Sequence, residues 1–321
     1  MYPPEFFSLP RLAAFCHRTK IWRGVDSLLE LSIRLRQTLH RAEIKQFESE
    51  FSSFDKSFIP NIVDIYSLDY PPLLREIYDP PLVLGYLGNL NLLNQPLVGI
   101  VGTRKASKVS LLATKLLVTK LRECRSDLAI VSGMALGIDR QAFISAMECG
   151  IGVVGLLGTS LMEEYPPGNR DLYRKVKSSP NAVLVSEYIF PTTPARWTFP
   201  KRNRLISGLV TDVYIMESGK RSGTLSTAMS ALSQNREIHV FDHPLQLDNE
   251  GGKNLLMEGA GFLDFDSLSQ GKGRIETPNF CSTKDVLGQD EWMVIADLER
   301  SYRMEGKKTP LGRGAYWVSS T

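Results

Sequence analysis

The chain has 321 residues, 43% of them hydrophobic and 23% charged, a balance that excludes a disordered chain and fits one large domain with smaller appendages. A formal net charge of +3 is too small to identify a partner, so any polyanion argument must come from where the cations cluster. No apolar run reaches the ~18 residues of a membrane span and the N-terminus has no leader pattern; Cys16, Cys124, Cys149 and Cys281 lack metal-ligand spacing, so a cytoplasmic protein with reduced thiols is expected.

Residues 1–65 differ in kind from the rest. Leu28, Leu29, Ile33, Leu35 and Leu39 recur among charges, which predicts one or two amphipathic helices in a small N-terminal helical domain, read as a packing module. Two proline pairs, Pro71-Pro72 and Pro80-Pro81, bracket a short helix, and 82–88 reads as an accessory strand. From Leu97 to Asp242 apolar runs at 97–101, 128–132, 152–157, 182–187, 212–217 and 237–242 alternate with helical patterns. Strands buried on both faces and separated by helices predict an α/β fold with a doubly wound parallel sheet. Right-handed crossovers place the strand-to-helix turns at one edge, where open sheets bind ligands.

Those turns share a chemistry. The first, Gly102-Thr103-Arg104 running to Ser107, is either a packing turn or an anion site in which backbone N–H groups at a helix N-terminus join a guanidinium; Ser107 is the expected N-cap. The second, Ser132-Gly133 through Gly137 to Asp139, offers small residues and backbone donors. The third carries Thr159, Ser160, Tyr165, Asn169 and Arg170. In the fourth, Arg196, Lys201, Arg202 and Arg204 occur with no acid, beside Asn203, Trp197 and Phe199. The fifth opens a helix with Lys220, Arg221, Ser222, Gly223 and Thr224. Cations interleaved with aromatics suit a single-stranded nucleic acid, whose backbone is neutralised while its bases stack. Arg202 and Arg204 are read as site cations, and replacing Arg104, Lys108 or Arg202 is expected to leave the fold intact; Phe199 is read as core.

Other chemistries are disfavoured. Gly99 and Gly102 lack the GxGxxG spacing of a dinucleotide site, and the second strand ends in Ser132-Gly133 where a ribose-binding acid is wanted. His17, His40, His239 and His243 form no metal motif. Asp139, Glu187 and Glu217 are read as supporting carboxylates; Glu187 and Glu217 could be paired for acid–base work, or accept hydrogen bonds from the surrounding arginines. Catalytic residues, cofactor and metal are therefore expected to be none.

From about Tyr66 to Phe262 the ordered blocks resemble the DNA processing protein A (DprA, or Smf) family. They are Gly99 to Arg104, Val131 to Asp139, Tyr165 to Asn169, Phe199 to Gly208, Glu217 with Ser222 to Ala228, and Gly252 to Ala260. The resemblance implies an extended Rossmann-like fold over 66–272, a basic pocket for single-stranded DNA, homodimerisation, and delivery of the strand to the RecA recombinase, without an established enzymatic activity. Three departures stand out: Phe143 where the family usually has histidine, Asp242-His243-Pro244 for a Pro-Gly turn, and a short C-terminal segment, 273–321, too small for a full winged helix. The alternative is a nucleotide-processing phosphoribohydrolase on a related fold, whose Pro-Gly-Gly-x-Gly-Thr signature Ser222-Gly223-Thr224 echoes only in part. A homodimer is expected to use 212–262.

Overall fold

The computed structural model describes residues 2–243 and 249–268. After a 3-10 turn at Pro4–Ser8 the chain forms three helices, α1 (Pro10–Thr19), α2 (Leu28–Thr38) and α3 (Arg41–Ser53). Pro10 sits in the first turn of α1, where its missing N–H costs nothing. The Ser27 side chain caps α2 by accepting from the Glu30 amide. Strand β1 (Asn61–Asp64) follows, then the short α4 (Pro72–Arg75) and β2 (Val83–Gly88). Strand β1 precedes the expected boundary at 65/66, so the helical segment is shorter than predicted: Ile62 and Val63 follow a proline and pair with β2 in the main sheet.

The alternating region then runs in the predicted order: β3 (Leu97–Val101), α5 (Lys108–Cys124), β4 (Ala129–Ser132), α6 (Ile138–Glu148), β5 (Gly152–Leu156), α7 (Arg170–Ser178), β6 (Ala182–Ser186), α8 (Thr198–Gly208), β7 (Asp212–Ile215), α9 (Gly223–Ser233) and β8 (Glu237–Val240). Helix α10 (Glu250–Met257) and a two-residue β9 (Gly261–Phe262) complete the sheet. Its order is β1-β2-β6-β5-β4-β3-β7-β8-β9. Strands β3 to β9 are mutually parallel, while β2 runs antiparallel to both β6 and β1. The accessory strand is thus an antiparallel extension of a parallel core. Strand β3 pairs with β4 on one side and β7 on the other, so the winding reverses at β3 and leaves a crevice between the turns after β3 and β7.

Alternate residues of each strand face opposite layers. Ile100, Ile130 and Val153 pack under α5, α6 and α7, together with Phe143 and Tyr173. Val131, Val154 and Val213 belong to the other layer, which holds α8 and α9. The N-terminal helices share that second layer: Phe6, Leu12, Leu31 and Leu35 are buried in one continuous apolar core with Val83, Val185 and Leu205. Phe54 stacks on Phe190 at 4.6 Å between centroids, and the Tyr66 hydroxyl donates to the Trp22 carbonyl at 2.8 Å. Phe143 is fully buried, which accounts for an apolar ring at that position. Among the described residues, no helix is long and apolar enough to cross a membrane. The expectations for 273–321 fall outside the described residues.

Candidate nucleic-acid interface

At the crevice lies an open cavity of about 420 Å³. Its walls are the turn after β3 (Gly102 to Lys105), the outer face of α8 at Phe199, Arg202 and Asn203, and the segment from Gly219 to Thr224 leading into α9. Arg104, Lys105 and Arg221 are exposed there. The Arg104 guanidinium lies 5.6 Å from the Phe199 ring centroid, which orients the cation over an aromatic face. Phe199 is half-buried and tilts against Tyr165 at 5.3 Å, so it is a cavity wall and not the core residue expected. Arg221 was legible only as one of several cations ahead of Ser222-Gly223; its place in the cavity follows from the β7–α9 turn. The Ser222 side chain caps α9, accepting from the Thr224 amide at 3.2 Å, and the positive end of that helix dipole faces the cavity.

The turn carrying Arg104 is held from beneath. The Thr103 amide donates to the Glu217 carbonyl at 2.8 Å. The Ser107 amide and hydroxyl each donate to Glu217 Oε2 at 2.9 Å. His243 Nε2 lies 2.8 Å from the same hydroxyl. Gly137, at φ +75°, lets the second turn come so close that a Cβ there would collide with the Thr103 and Arg104 carbonyl groups. Glu217 therefore does not serve an arginine, as was expected. Its carboxylate takes the Ser107 amide at the head of α5, and the Ser107 hydroxyl takes the Ser110 amide, so two of that helix end's N–H groups are already occupied.

Arg202 corrects the sequence reading most strongly. It is 5% exposed, and its Nη1 donates to the Gly133 carbonyl at 2.7 Å and to the Leu156 carbonyl, tying the ends of β4 and β5 together. Its Nε donates to Asn203 Oδ1 at 3.2 Å, while Asn203 Nδ2 reaches the Gly223 carbonyl and Ser226 Oγ on α9. Asp139 faces Arg202 and accepts from the Gly133 and Ala135 amides at 3.0 and 3.3 Å. Burial raises the Asp139 pKa against the opposing pull of Arg202 and these two N–H groups. Burial likewise lowers that of Arg202, with Asp139 opposing. The donors expected from the second turn are thus consumed by Asp139, and Gly133 offers the pocket no N–H.

Other candidates turn away from the cavity. The Ser132 hydroxyl donates to the Ile100 carbonyl at 2.6 Å, bracing β4 against β3. Asn169 is fully buried, donating to the Met134 carbonyl at 2.9 Å and accepting from Arg140 at 3.0 Å. Lys201 and Arg204 lie on the far side of α8, because adjacent helical residues are rotated by about 100°. Arg204 is paired with Glu187 at 2.8 Å and Asp79 at 2.9 Å, and Lys201 with Glu187 at 3.3 Å. Glu187 does hold cations, as expected.

The sheet is a doubly wound, Rossmann-like frame with a cationic, aromatic-lined crevice at its winding reversal. The profile of the DNA recombination-mediator protein A family matches residues 61–270, and the chain belongs to that family. It is 36% identical over 193 residues to DNA processing protein DprA of Streptococcus pneumoniae, covering 60% of this chain and 66% of that one. It is 32% identical over 254 residues to DNA processing protein DprA of Bacillus subtilis, covering 74% and 84%. The crystal structure of the Streptococcus pneumoniae protein superposes with a TM-score of 0.62 at 30% identity, over 79% of this chain and 84% of that one. A Helicobacter pylori DNA processing protein A, described for its single-stranded DNA binding mode, superposes at 0.58 and 28%, over 66% and 95%.

Proposed function

We propose that this protein binds single-stranded DNA across the β3–β7 crevice and passes the strand to a RecA-type recombinase, acting as a homodimer and without catalysis. The carrying observation is the set of exposed cations, Arg104, Lys105 and Arg221, gathered from two separate turns around the half-buried Phe199. Asp139 is the acid among the cavity-lining residues, and it is spent on Arg202 and two backbone amides, so the phosphate-facing surface is left cationic. The single-stranded DNA named for the Helicobacter pylori relative agrees with this reading. RecA as a partner rests on family membership alone. Met229, Leu232, Met257 and Phe262 expose apolar surface within the stretch expected to form a dimer contact.

Titration of a labelled oligo-dT and of its duplex form across a salt series tests the reading. The single strand binds more tightly, and its affinity falls with salt at roughly 0.7 counterions per neutralised phosphate. Equal affinity for both forms, or no salt dependence, refutes it. Release of free base from nucleoside monophosphates would instead favour a hydrolase.

A further inference from the structure

Helix α7 carries a charged face that the crevice does not account for. Arg170, Arg174 and Lys175 are exposed, and among the described residues no ion pair or side-chain hydrogen bond engages them. Arg170 and Arg174 stand four residues apart on one helix face, about 6 Å along its axis. That placement works against the helix. Like charges at this spacing repel, and Arg170 opens the helix at the end where the dipole favours an acid. The nearby acids are spent elsewhere. Asp171 takes both arms of the Arg140 guanidinium at 2.9 and 2.6 Å, and those bonds hold its pKa down to about 2. Glu164 is paired with Lys177 at 2.8 Å. With the exposed Glu163 counted beside Glu164 and Asp171, the cations Arg140, Arg170, Arg174, Lys175 and Lys177 still leave this surface net positive.

The face begins where the crevice ends. Strands β3, β4 and β5 are adjacent and parallel, so their three following turns lie side by side along one edge of the sheet. Phe199 walls the crevice, and Tyr165, in the turn ahead of α7, lies 5.3 Å from its ring. Tyr165 is half-buried, and its carbonyl accepts from the Tyr173 hydroxyl at 2.9 Å, which fastens the turn to α7. The turn after β4 closes the gap: Leu136 is 37% exposed and sits 3.3 Å from where a Cβ on Gly168 would lie. A path from Arg104 over Phe199 and Tyr165 to Arg170 and Arg174 thus alternates cations with rings. Rings along the way suit a strand whose bases are free to stack, which a duplex and an acidic peptide both lack.

We propose that a single strand leaving the crevice crosses Tyr165 and runs along α7, where Arg170, Arg174 and Lys175 hold its phosphates. This rests on the single-stranded DNA reading of the crevice and extends it onto the opposite layer of the sheet.

The test uses the full chain and two labelled oligo-dT lengths, about five nucleotides to occupy the crevice alone and about fifteen to reach past it. In Arg170→Ala/Arg174→Ala/Lys175→Ala, affinity for the short strand should stay within about twofold of wild type, while the long strand at ~0.1 M salt should lose about tenfold or more and its salt slope should fall by about two, at roughly 0.7 counterions per phosphate. The extra registers open to the long strand are the same in both proteins and cancel in this comparison. The variant should melt no lower than wild type, since it relieves repulsion; Arg174→Glu, a single change, should reproduce the long-strand loss if the triple variant does not fold. Arg11→Ala/Arg41→Ala/Lys45→Ala removes the same charge from exposed positions on α1 and α3 and should leave both lengths unchanged. An equal loss in that control assigns the effect to the general field of the protein and overturns the proposal. So does an α7 variant that weakens both lengths alike. Unchanged long-strand binding in the α7 variant overturns it too, and leaves the crevice reading standing if Arg104→Ala still weakens both lengths. If neither length binds the wild type, the crevice reading fails and this extension fails with it.

Discussion

Replacing Arg202 by alanine separates a buried brace from a surface phosphate ligand. The change removes donors from the Gly133 and Leu156 carbonyls and from Asn203, and it leaves the buried Asp139 without its facing guanidinium. Two orphaned carbonyls cost about 1–3 kcal/mol each, and removing one partner of a buried charge pair costs about 3–5 kcal/mol in all. Protonation of Asp139, whose pKa burial already raises, and entry of water relieve part of this, so about 4 kcal/mol is the expected loss. In a domain of this size that lowers the melting temperature by about 8–16 °C. Arg202→Lys recovers little, since a single ammonium cannot fork between two strand ends. Thermal melts and urea unfolding, beside oligo-dT anisotropy, measure both effects. If Arg202→Ala melts within about 2 °C of wild type and loses binding as a surface cation would, the brace assignment is wrong.

Three further outcomes follow from the same geometry. Arg104→Ala, at an exposed position, should weaken oligo-dT binding by about 1.5–3 kcal/mol with an unchanged melt; unchanged binding in an anisotropy titration would remove Arg104 from the interface. Gly137→Ala puts a methyl into the Thr103 and Arg104 carbonyls at a positive φ, so it should lower both stability and oligo-dT affinity, and a crystal structure should show the first turn displaced. His17 binds its proton near the ordinary value of 6.5 when unfolded but only at about 4 when folded, so its contribution is complete above pH 6.5 and is lost as pH falls toward 4, by at most about 3 kcal/mol. Melts between pH 7.5 and 5 should fall less steeply for His17→Gln than for wild type; parallel curves would contradict this.

The sheet was legible because its strands are continuous apolar runs of four to five residues, fully buried on both faces, and that pattern needs no tertiary information. The antiparallel edge was half-legible: 82–88 reads as a strand, but its pairing with a β1 lying twenty residues earlier is non-local. Site residues divide in the same way. Arg104 sits in a turn whose position follows from the strand before it, so its exposure was foreseeable. In α8 the composition shows three cations without showing the rotation of the helix, and that rotation sends Arg202 inward and Lys201 and Arg204 to the far side, against Glu187. Ser132, at a strand end, and Asn169, at the head of α7, look like donors to a ligand because small polar residues in such places serve equally well to satisfy backbone carbonyls, and here they do.

The apolar core joining α1 to α3 with α8 makes the boundary between them a poor place to divide the molecule. Phe6, Leu12, Leu31 and Leu35 lie in the same continuous interior as Val83, Val185 and Leu205, and Phe190 has Phe51 and Phe54 as its aromatic neighbours. A fragment beginning at Asn61 would keep every strand of the sheet yet present Phe190 and its surroundings to water. Burial is worth about 25 cal/mol per Å² of apolar surface, so two or three uncovered aromatic rings consume a large fraction of a typical domain's 5–15 kcal/mol. The helices and the sheet therefore open together: amide protons at the centre of β6 should exchange by the same event that frees those of α2, and a protease cutting between Ser53 and Pro60 would produce two pieces that stay associated.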